Sequence, residues 1–183
     1  MSQPAGFALF DTAIGACGIA WGPGGIVGVQ LPEASAVATR ARMARRFASL
    51  REAPPPPAVQ NAADAITALL AGDARDLMEI VLDESGVSDF NRRVYAIARR
   101  IAPGQTRSYG EIAAELGDKG LARAVGQALG HNPFAPVVPC HRVLAANGRP
   151  GGFSAHGGAL AKLRMLAIEG ARPNGTAPLF DEF

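Results

Sequence analysis

The chain has 183 residues, of which 48% are hydrophobic and 19% are charged, and its formal net charge is +2. This composition is typical of a folded globular protein and argues against an intrinsically disordered one. No apolar run in the sequence reaches the length of a membrane span, and the N-terminus lacks the basic and apolar segments of a signal peptide. The sequence therefore predicts a cytoplasmic protein without a membrane partner.

The charge is divided unevenly along the chain. Residues 1–90 contain six arginines against ten acidic residues, whereas residues 91–183 contain ten arginines and two lysines against six acidic residues. The two halves therefore have formal charges of −4 and +6. Because basic segments attract polyanions, we expect the second half to contact a polyanionic partner.

The two cysteines, Cys17 and Cys140, lie far apart in dissimilar sequence contexts. Two thiols and three scattered histidines form neither a disulfide framework nor a plausible zinc site. We therefore predict a chain with free thiols and no bound metal.

The first half has the pattern of a mixed domain. Residues 7–31 alternate short apolar runs with glycine-rich breaks, which predicts an antiparallel meander. Helical patterns follow over residues 33–50 and 58–70, and four consecutive prolines separate them. Residues 77–82 are predicted to return as another strand. The predicted division is an N-terminal α/β domain (1–85), a C-terminal domain (86–175) and a tail (176–183).

The second half is predicted to be mostly helical. Ser88 has the position of an N-cap before an amphipathic helix. Ser108 and Glu111 have the spacing of a capping box at the start of a short helix, and residues 121–129 form a second one after a tight turn. This arrangement predicts a helix-turn-helix, although a helical hairpin inside a core has the same pattern.

The second of these short helices has a smooth surface, because Ala122, Ala124 and Gly126 surround a single basic residue, Arg123. Small residues allow a helix to approach a DNA minor groove closely, and an arginine on it can be inserted into the base stack. The alternative is a helix packed in a core with Arg123 in solvent. The residues alone leave both interpretations open.

The tetrapeptide Pro-Cys-His-Arg at positions 139–142 places a candidate nucleophile beside a base and an anion binder. Adjacent side chains point to different sides of a backbone, so we expect a water or a third residue to connect Cys140 with His141. Glu169 follows a predicted final helix over residues 159–168. It is either a solvated carboxylate or the group that orients His141.

The second half resembles the methylated-DNA:protein-cysteine methyltransferases, the O6-alkylguanine-DNA alkyltransferase family. The resemblance rests on five motifs in the family's order and spacing, namely Thr106-Arg107-Ser108-Tyr109-Gly110-Glu111-Ile112-Ala113, Ala122-Arg123-Ala124-Val125-Gly126, His131-Asn132-Pro133, Pro139-Cys140-His141-Arg142-Val143 and Leu166-Ala167-Ile168-Glu169-Gly170. Residues 1–85 are similar to the family's N-terminal domain only in position and coarse pattern.

The resemblance implies an α/β (α+β) fold, in which a small antiparallel sheet with helices precedes a mostly helical domain with a winged-helix-like helix-turn-helix. It also implies a monomeric, single-use DNA repair methyltransferase without a cofactor. Cys140 would irreversibly accept the alkyl group of O6-alkylguanine in double-stranded DNA, with O4-alkylthymine as a second candidate substrate. His141 would act as a base through water, and Glu169 would polarise it.

The same resemblance implies how DNA is handled. Arg123 matches the family's arginine finger, which fills the gap left by the flipped nucleotide. Ala122, Ala124 and Gly126 would lie against DNA on the same helix. Tyr109 matches the tyrosine that aids flipping and contacts the base.

The implied substrate pocket contains residues from three motifs and from the loop before the final helix. Asn132 would brace the active-site turn, the carbonyl groups of Cys140 and Val143 would accept hydrogen bonds from the guanine amino group, and Ser154 would lie near O6. The loop departs from the family pattern, because Phe153 replaces a tyrosine and two extra residues precede the glycine pair. Phe153 can still stack on a base but has no hydroxyl to donate. His156 is predicted to be an exposed loop residue.

Two other functions compete with repair. A lesion sensor would flip alkylguanine without repairing it, but relatives of that kind lack the reactive cysteine. A cysteine hydrolase using Cys140 and His141 would need no DNA, and Arg123 would then have no role.

Overall fold

The computed structural model describes residues 5–171 of the chain. It begins with a three-stranded antiparallel meander of β1 (Gly6–Thr12), β2 (Gly15–Gly22) and β3 (Gly25–Gln30), in that spatial order. Gly15 and Gly25 close the two hairpins with φ angles of 128° each, a backbone conformation that residues other than glycine rarely adopt. The predicted meander is confirmed.

Two helices follow the meander. Helix α1 (Ala36–Arg46) begins after Ser35, whose hydroxyl accepts a hydrogen bond from the Ala38 N–H at 3.1 Å. Helix α2 (Pro57–Leu70) begins with a proline at its first position, where no amide donor is needed. Helix α2 packs on the sheet in a core that also takes in residues of the second half, including Ile19, Trp21, Ile66, Leu69, Val137 and Met165.

The strand predicted over residues 77–82 is wrong. Leu77 has a φ of 57°, which breaks an extended conformation, and Leu82 alone forms an isolated bridge to the sheet. Some backbone carbonyl groups of this segment accept hydrogen bonds from the guanidinium of Arg99 instead of from a neighbouring strand. Its Nη2 donates to three carbonyl groups in this segment, those of Leu77, Met78 and Ile80, at 2.9, 3.2 and 3.0 Å.

The second half contains α3 (Asp89–Arg99), β4 (Arg107–Ser108), α4 (Tyr109–Glu115), α5 (Ala122–Gly130), β5 (Val143–Leu144) and α6 (Gly158–Ile168). The capping box at α4 is confirmed, because the Ser108 hydroxyl accepts from the Glu111 N–H at 3.1 Å and the Glu111 carboxylate accepts from the Ser108 N–H at 2.6 Å. Helices α4 and α5, joined by a 3₁₀ turn, form the predicted helix-turn-helix. The mixed α/β fold class is confirmed.

A second core lies between α3, α4 and α5. Within it the Tyr95 hydroxyl donates to the Ala128 carbonyl at 2.8 Å, and the Tyr95 ring meets Phe134 edge to face at 6.4 Å between centroids. The division of the chain at residue 85 stays a prediction, and the tail over residues 176–183 lies outside the described residues. Within residues 5–171 no helix has both the length and the apolarity needed to cross a bilayer.

Candidate active site

Cys140 lies on a 3₁₀ turn, Cys140–Arg142, that leads directly into β5. The parallel pairing of β5 with β4 ties this turn to the start of the helix-turn-helix. Cys140 is 7% exposed and borders a cavity of about 270 Å³. Asn132, Phe153 and Ser154 line the same cavity, as do residues of β3 and α1. The reactive candidate is therefore buried, but a small pocket reaches it.

The surroundings of Cys140 have opposing effects on the pKa of its thiol. Burial raises its pKa, because the charged thiolate is poorly solvated there. A hydrogen bond from the Asn132 side chain, the charge of Lys162 and the backbone N–H groups of Cys140 and His141 act in the opposite direction. Forming the nucleophile therefore depends on these donors and on a base that removes the proton.

His141 and Glu169 are in direct contact. The Nε2 of His141 lies 2.8 Å from Oε1 of Glu169, and both side chains are almost fully buried. Arg142 fixes the carboxylate from the other side, since its Nε and Nη2 donate to Glu169 at 2.9 and 2.7 Å. A third donor of Arg142, Nη1, reaches the Ile101 carbonyl at 2.6 Å. Glu169 is thus the group that orients His141, and the solvated alternative is wrong.

The protonation states follow from these contacts. Burial alone would raise the pKa of Glu169, but hydrogen bonds from His141 and Arg142 outweigh it and lower that pKa to about 2. Burial lowers the pKa of His141, although Glu169 opposes the change. At neutral pH the pair is therefore an ionised carboxylate and a neutral imidazole. The other ring nitrogen of His141, Nδ1, is buried and has no hydrogen-bond partner within residues 5–171.

Lys162 on α6 is a site residue that the sequence prediction missed. Its side chain is 1% exposed, and its Nζ donates to the Val143 carbonyl at 2.6 Å and to the Tyr109 hydroxyl at 3.4 Å. Burial lowers its pKa to about 8, against the attraction of Cys140. The sequence held a signal, since Lys162 is one of two lysines in an arginine-rich chain and lies in an apolar helix.

Two aromatic rings flank this ammonium group. The Nζ of Lys162 lies 5.7 Å from the centroid of Tyr109 and 5.9 Å from that of Phe153. Gly151 has a φ of 66°, and a Cβ there would lie 3.0 Å from the Tyr109 hydroxyl. The loop that carries Phe153 therefore passes close to Tyr109 only because this position is glycine.

Helix α5 presents a different surface from the pocket. Arg123 is exposed, and its guanidinium has no hydrogen bond or ion pair within residues 5–171. Ala122, Ala124 and Gly126 are partly buried, and a Cβ at Gly126 would lie 3.8 Å from the Tyr109 ring. The structure agrees with the core-helix alternative, since one face packs inward and Arg123 lies in solvent, and this exposure also leaves Arg123 accessible to DNA, so its role there stays a prediction.

The structure therefore brings most of the predicted site residues together. Cys140, Asn132, Phe153 and Ser154 share one cavity, and Val143 and Tyr109 meet through Lys162. His156 is exposed, as predicted, with Nδ1 3.7 Å from the Glu33 carboxylate. Among residues 5–171 no three His, Cys, Asp or Glu side chains cluster as metal ligands.

Comparisons with known proteins agree with this geometry. Residues 89–171 match the family model described as 6-O-methylguanine DNA methyltransferase, DNA binding domain. A methylated-DNA–protein-cysteine methyltransferase of Mycobacterium tuberculosis is 44% identical over 128 residues, which are 70% of this chain and 75% of that protein. A DNA base-flipping protein of Thermus thermophilus is 43% identical over 108 residues, 59% of this chain and 71% of that protein. The crystal structure of Mycobacterium tuberculosis OGT in complex with DNA matches with a TM-score of 0.69 and 34% identity, covering 90% of this chain and 92% of that one.

Proposed function

The chain belongs to the methylated-DNA–protein-cysteine methyltransferase family, and on that premise we propose that it repairs O6-alkylguanine in DNA by direct reversal. Cys140 takes the alkyl group and keeps it, so each molecule acts once. The observation that carries this proposal is the buried Cys140 beside the hydrogen-bonded set of His141, Glu169 and Arg142. A nucleophile, a base and a group that orients the base are the components that activation of a thiol requires.

Proton removal starts the proposed reaction. The neutral His141 accepts the Cys140 proton on Nδ1 through a bridging water, which suits a buried ring nitrogen without a protein partner. Glu169 stabilises the imidazolium that forms, because its ionised carboxylate contacts Nε2.

Transfer of the alkyl group follows. The Cys140 thiolate attacks the alkyl carbon in line, a sulfur–carbon bond forms, and the carbon–O6 bond breaks with its electron pair left on guanine. The guanine then takes up one proton, which balances the proton removed from Cys140, and remains in the DNA as an undamaged base. No cofactor is needed, because the substrate carries the activated group, and no step hydrolyses the thioether.

Helix α5 and Tyr109 are proposed to bring the lesion to the pocket. The helix approaches the minor groove with Ala122, Ala124 and Gly126, while the unpaired Arg123 replaces the flipped nucleotide in the stack. Flipping costs less for an alkylated guanine, because its pairing is already weakened. In the pocket, the Val143 and Cys140 carbonyl groups would bind the guanine amino group, and Ser154 would lie near O6. The Val143 carbonyl can accept a second bond beside that from Lys162.

The two competing functions are less well supported. A non-repairing sensor agrees with the similarity to a DNA base-flipping protein, but Cys140 and the relay behind it would then have no role. A hydrolase would leave the exposed Arg123 of α5 without a role.

We further propose that the protein works as a monomer in the cytoplasm, a reducing compartment that keeps its two cysteines free. Whether O4-alkylthymine is also repaired is a subsidiary question for the same assay.

The decisive experiment uses a duplex with a single O6-methylguanine. After incubation we expect the intact mass of the protein to rise by one methylene unit, with the modification on the peptide that contains Cys140. The Cys140→Ser variant is the control and gains no mass. Tight binding of the lesion duplex by the wild-type protein with an unmodified Cys140 would instead identify a sensor.

A further inference from the structure

The N-terminal half makes direct contact with the turn that precedes the reactive loop. The Pro133 carbonyl accepts a hydrogen bond from the Val29 N–H of β3 at 2.9 Å and another from Nη2 of Arg46 at 2.8 Å. The other terminal nitrogen of Arg46, Nη1, donates to the Val29 carbonyl at 2.8 Å. One guanidinium therefore joins the end of α1, the strand β3 and the turn after α5.

The surroundings of Arg46 are shaped for this contact. Its guanidinium carbon lies 4.7 Å from the centroid of the Phe47 ring. A Cβ at Gly28 would lie 2.4 Å from the Phe47 ring and 2.9 Å from Nη2 of Arg46. The absence of a side chain at Gly28 thus makes room for both groups to lie over β3.

The held turn leads to the sulfur through one residue. Asn132 immediately precedes Pro133, and its amide donates to the Val138 carbonyl at 2.8 Å while its oxygen accepts from the Phe134 N–H at 2.9 Å. Asn132 and Cys140 border the same cavity, and the Val138 carbonyl that accepts from Asn132 also accepts from the Cys140 N–H at 2.8 Å. Displacing Pro133 would therefore shift Asn132, whose side chain lowers the pKa of Cys140, and with it the Val138 carbonyl that holds the Cys140 backbone.

We propose that Arg46 is a positioning residue, whose guanidinium holds the turn of Asn132 and Pro133 against β3 and so fixes the Asn132 amide and the reactive loop that it braces at Val138. The N-terminal half thereby supports the geometry of the reactive loop. This inference rests on the proposed function for its catalytic meaning, but its effect on the thiol is measurable without DNA.

The test follows Cys140 alkylation by iodoacetamide against pH, with the Cys140 and Cys17 peptides separated by mass. In Arg46→Met we expect the midpoint to rise by about one pH unit, because the displaced Asn132 amide lowers the pKa of Cys140 less. The rate of methyl transfer from O6-methylguanine DNA near neutral pH should fall about tenfold for the same reason. The other titratable and charged groups around the Cys140 sulfur are unchanged in this variant, namely Arg42, Tyr95, Tyr109, His131, His141 and Lys162.

Arg45→Met is the matched control. Arg45 lies on the same last turn of α1, is exposed, and makes no hydrogen bond or ion pair within residues 5–171. This variant loses the same charge and should keep the wild-type midpoint. Arg46 is itself an exposed residue, so its replacement opens no core cavity. If Arg46→Met nevertheless unfolds, Arg46→Lys carries the same test. Its ammonium can donate to one of the Val29 and Pro133 carbonyl groups but cannot bridge both, so the shift should be smaller than in Arg46→Met.

A double variant separates positioning from general destabilisation. If Arg46 acts through Asn132, the midpoint in Asn132→Ala with Arg46→Met should equal that in Asn132→Ala alone. Additive shifts, or equal midpoints in Arg46→Met and Arg45→Met, would overturn the inference. A wild-type protein that takes no methyl group from DNA would refute the proposed function instead, and the alkylation midpoints would still test Arg46.

Discussion

In the proposed mechanism the Glu169 carboxylate has two roles, since it orients His141 and neutralises the buried guanidinium of Arg142. Its side chain is 3% exposed and contacts His141 and two nitrogens of Arg142. A buried charge that loses its partner is strongly destabilising, because water cannot replace the lost interactions. Stability and catalysis are therefore coupled at this one residue.

The coupling predicts how stability depends on pH. The pKa of Glu169 is about 2 in the folded protein, below its value in the unfolded chain, so its contribution is present above about pH 5 and is lost as the pH falls towards 2. Glu169→Gln should lower the free energy of unfolding by about 3 kcal/mol at pH 7 and flatten this acid dependence. Urea unfolding at a series of pH values measures both effects.

The control for this variant is Glu115→Gln. Glu115 also pairs with two arginines, Arg100 and Arg107, but its side chain is 34% exposed. Its loss should cost less than about 1 kcal/mol, because solvent screens such pairs. Glu169→Gln could still lose some stability as the pH falls below about 6.5. That loss would come from His141, because burial lowers its pKa and protonation therefore favours the unfolded chain. Equal losses in the two glutamine variants would contradict the coupled role of Glu169.

In the proposed function, helix α5 acts on DNA through one exposed side chain, Arg123, rather than through a polar surface. Its inward face is fixed by buried Val125, Ala128 and Leu129, and that packing leaves Arg123 pointing out. Arg123→Ala should therefore leave the fold and the thiol unchanged while slowing repair of duplex DNA by about tenfold or more, the effect of losing a few contacts made only when the base is flipped.

Reaction with the free base O6-benzylguanine is the internal reference for Arg123→Ala, because this small substrate needs no flipping. Single-turnover rates with the duplex and with the free base measure the two effects separately. Arg75→Ala, which removes an exposed arginine from the first half of the chain, should change neither rate. Equal losses of rate on duplex and free base would show that Arg123 acts on the pocket and not on DNA.

Local sequence patterns predicted the elements that local interactions stabilise. The capping box of Ser108 and Glu111 and the glycine turns of the meander involve residues at most three positions apart, so their spacing sufficed. The strand over residues 77–82 failed because Arg99, about twenty positions away, satisfies its carbonyl groups. Arg46 was missed for the same reason, since its partner Pro133 is 87 positions distant.

At the scale of the whole molecule, charge and chemistry are divided between the two halves. The nucleophile, the base and α5 all lie in the half with a formal charge of +6, while the first half, with −4, supports the reactive loop through β3 and Arg46. Glu169, which directly follows α6, the last helix within residues 5–171, contacts His141, so this end of the second half packs beside the Cys140 turn. An excess of arginine and lysine in this half suits a DNA backbone, whereas the first half would be repelled by it.

The division of charge predicts a steep salt dependence of DNA binding. Each phosphate neutralised by an arginine or lysine releases condensed counterions, so the logarithm of the binding constant should fall linearly with the logarithm of salt concentration. For about four phosphate contacts the slope is roughly −3 to −4, a loss of about 100-fold between 50 and 200 mM salt. Fluorescence anisotropy with a labelled duplex and the Cys140→Ser variant measures the slope without alkyl transfer.

The rate of alkyl transfer from free O6-benzylguanine to the wild-type protein is the control, and it should stay nearly constant over the same range of salt concentration. A flat salt response in the binding measurement would contradict the assignment of the basic second half as the DNA-binding surface, because contacts without counterion release leave no such dependence.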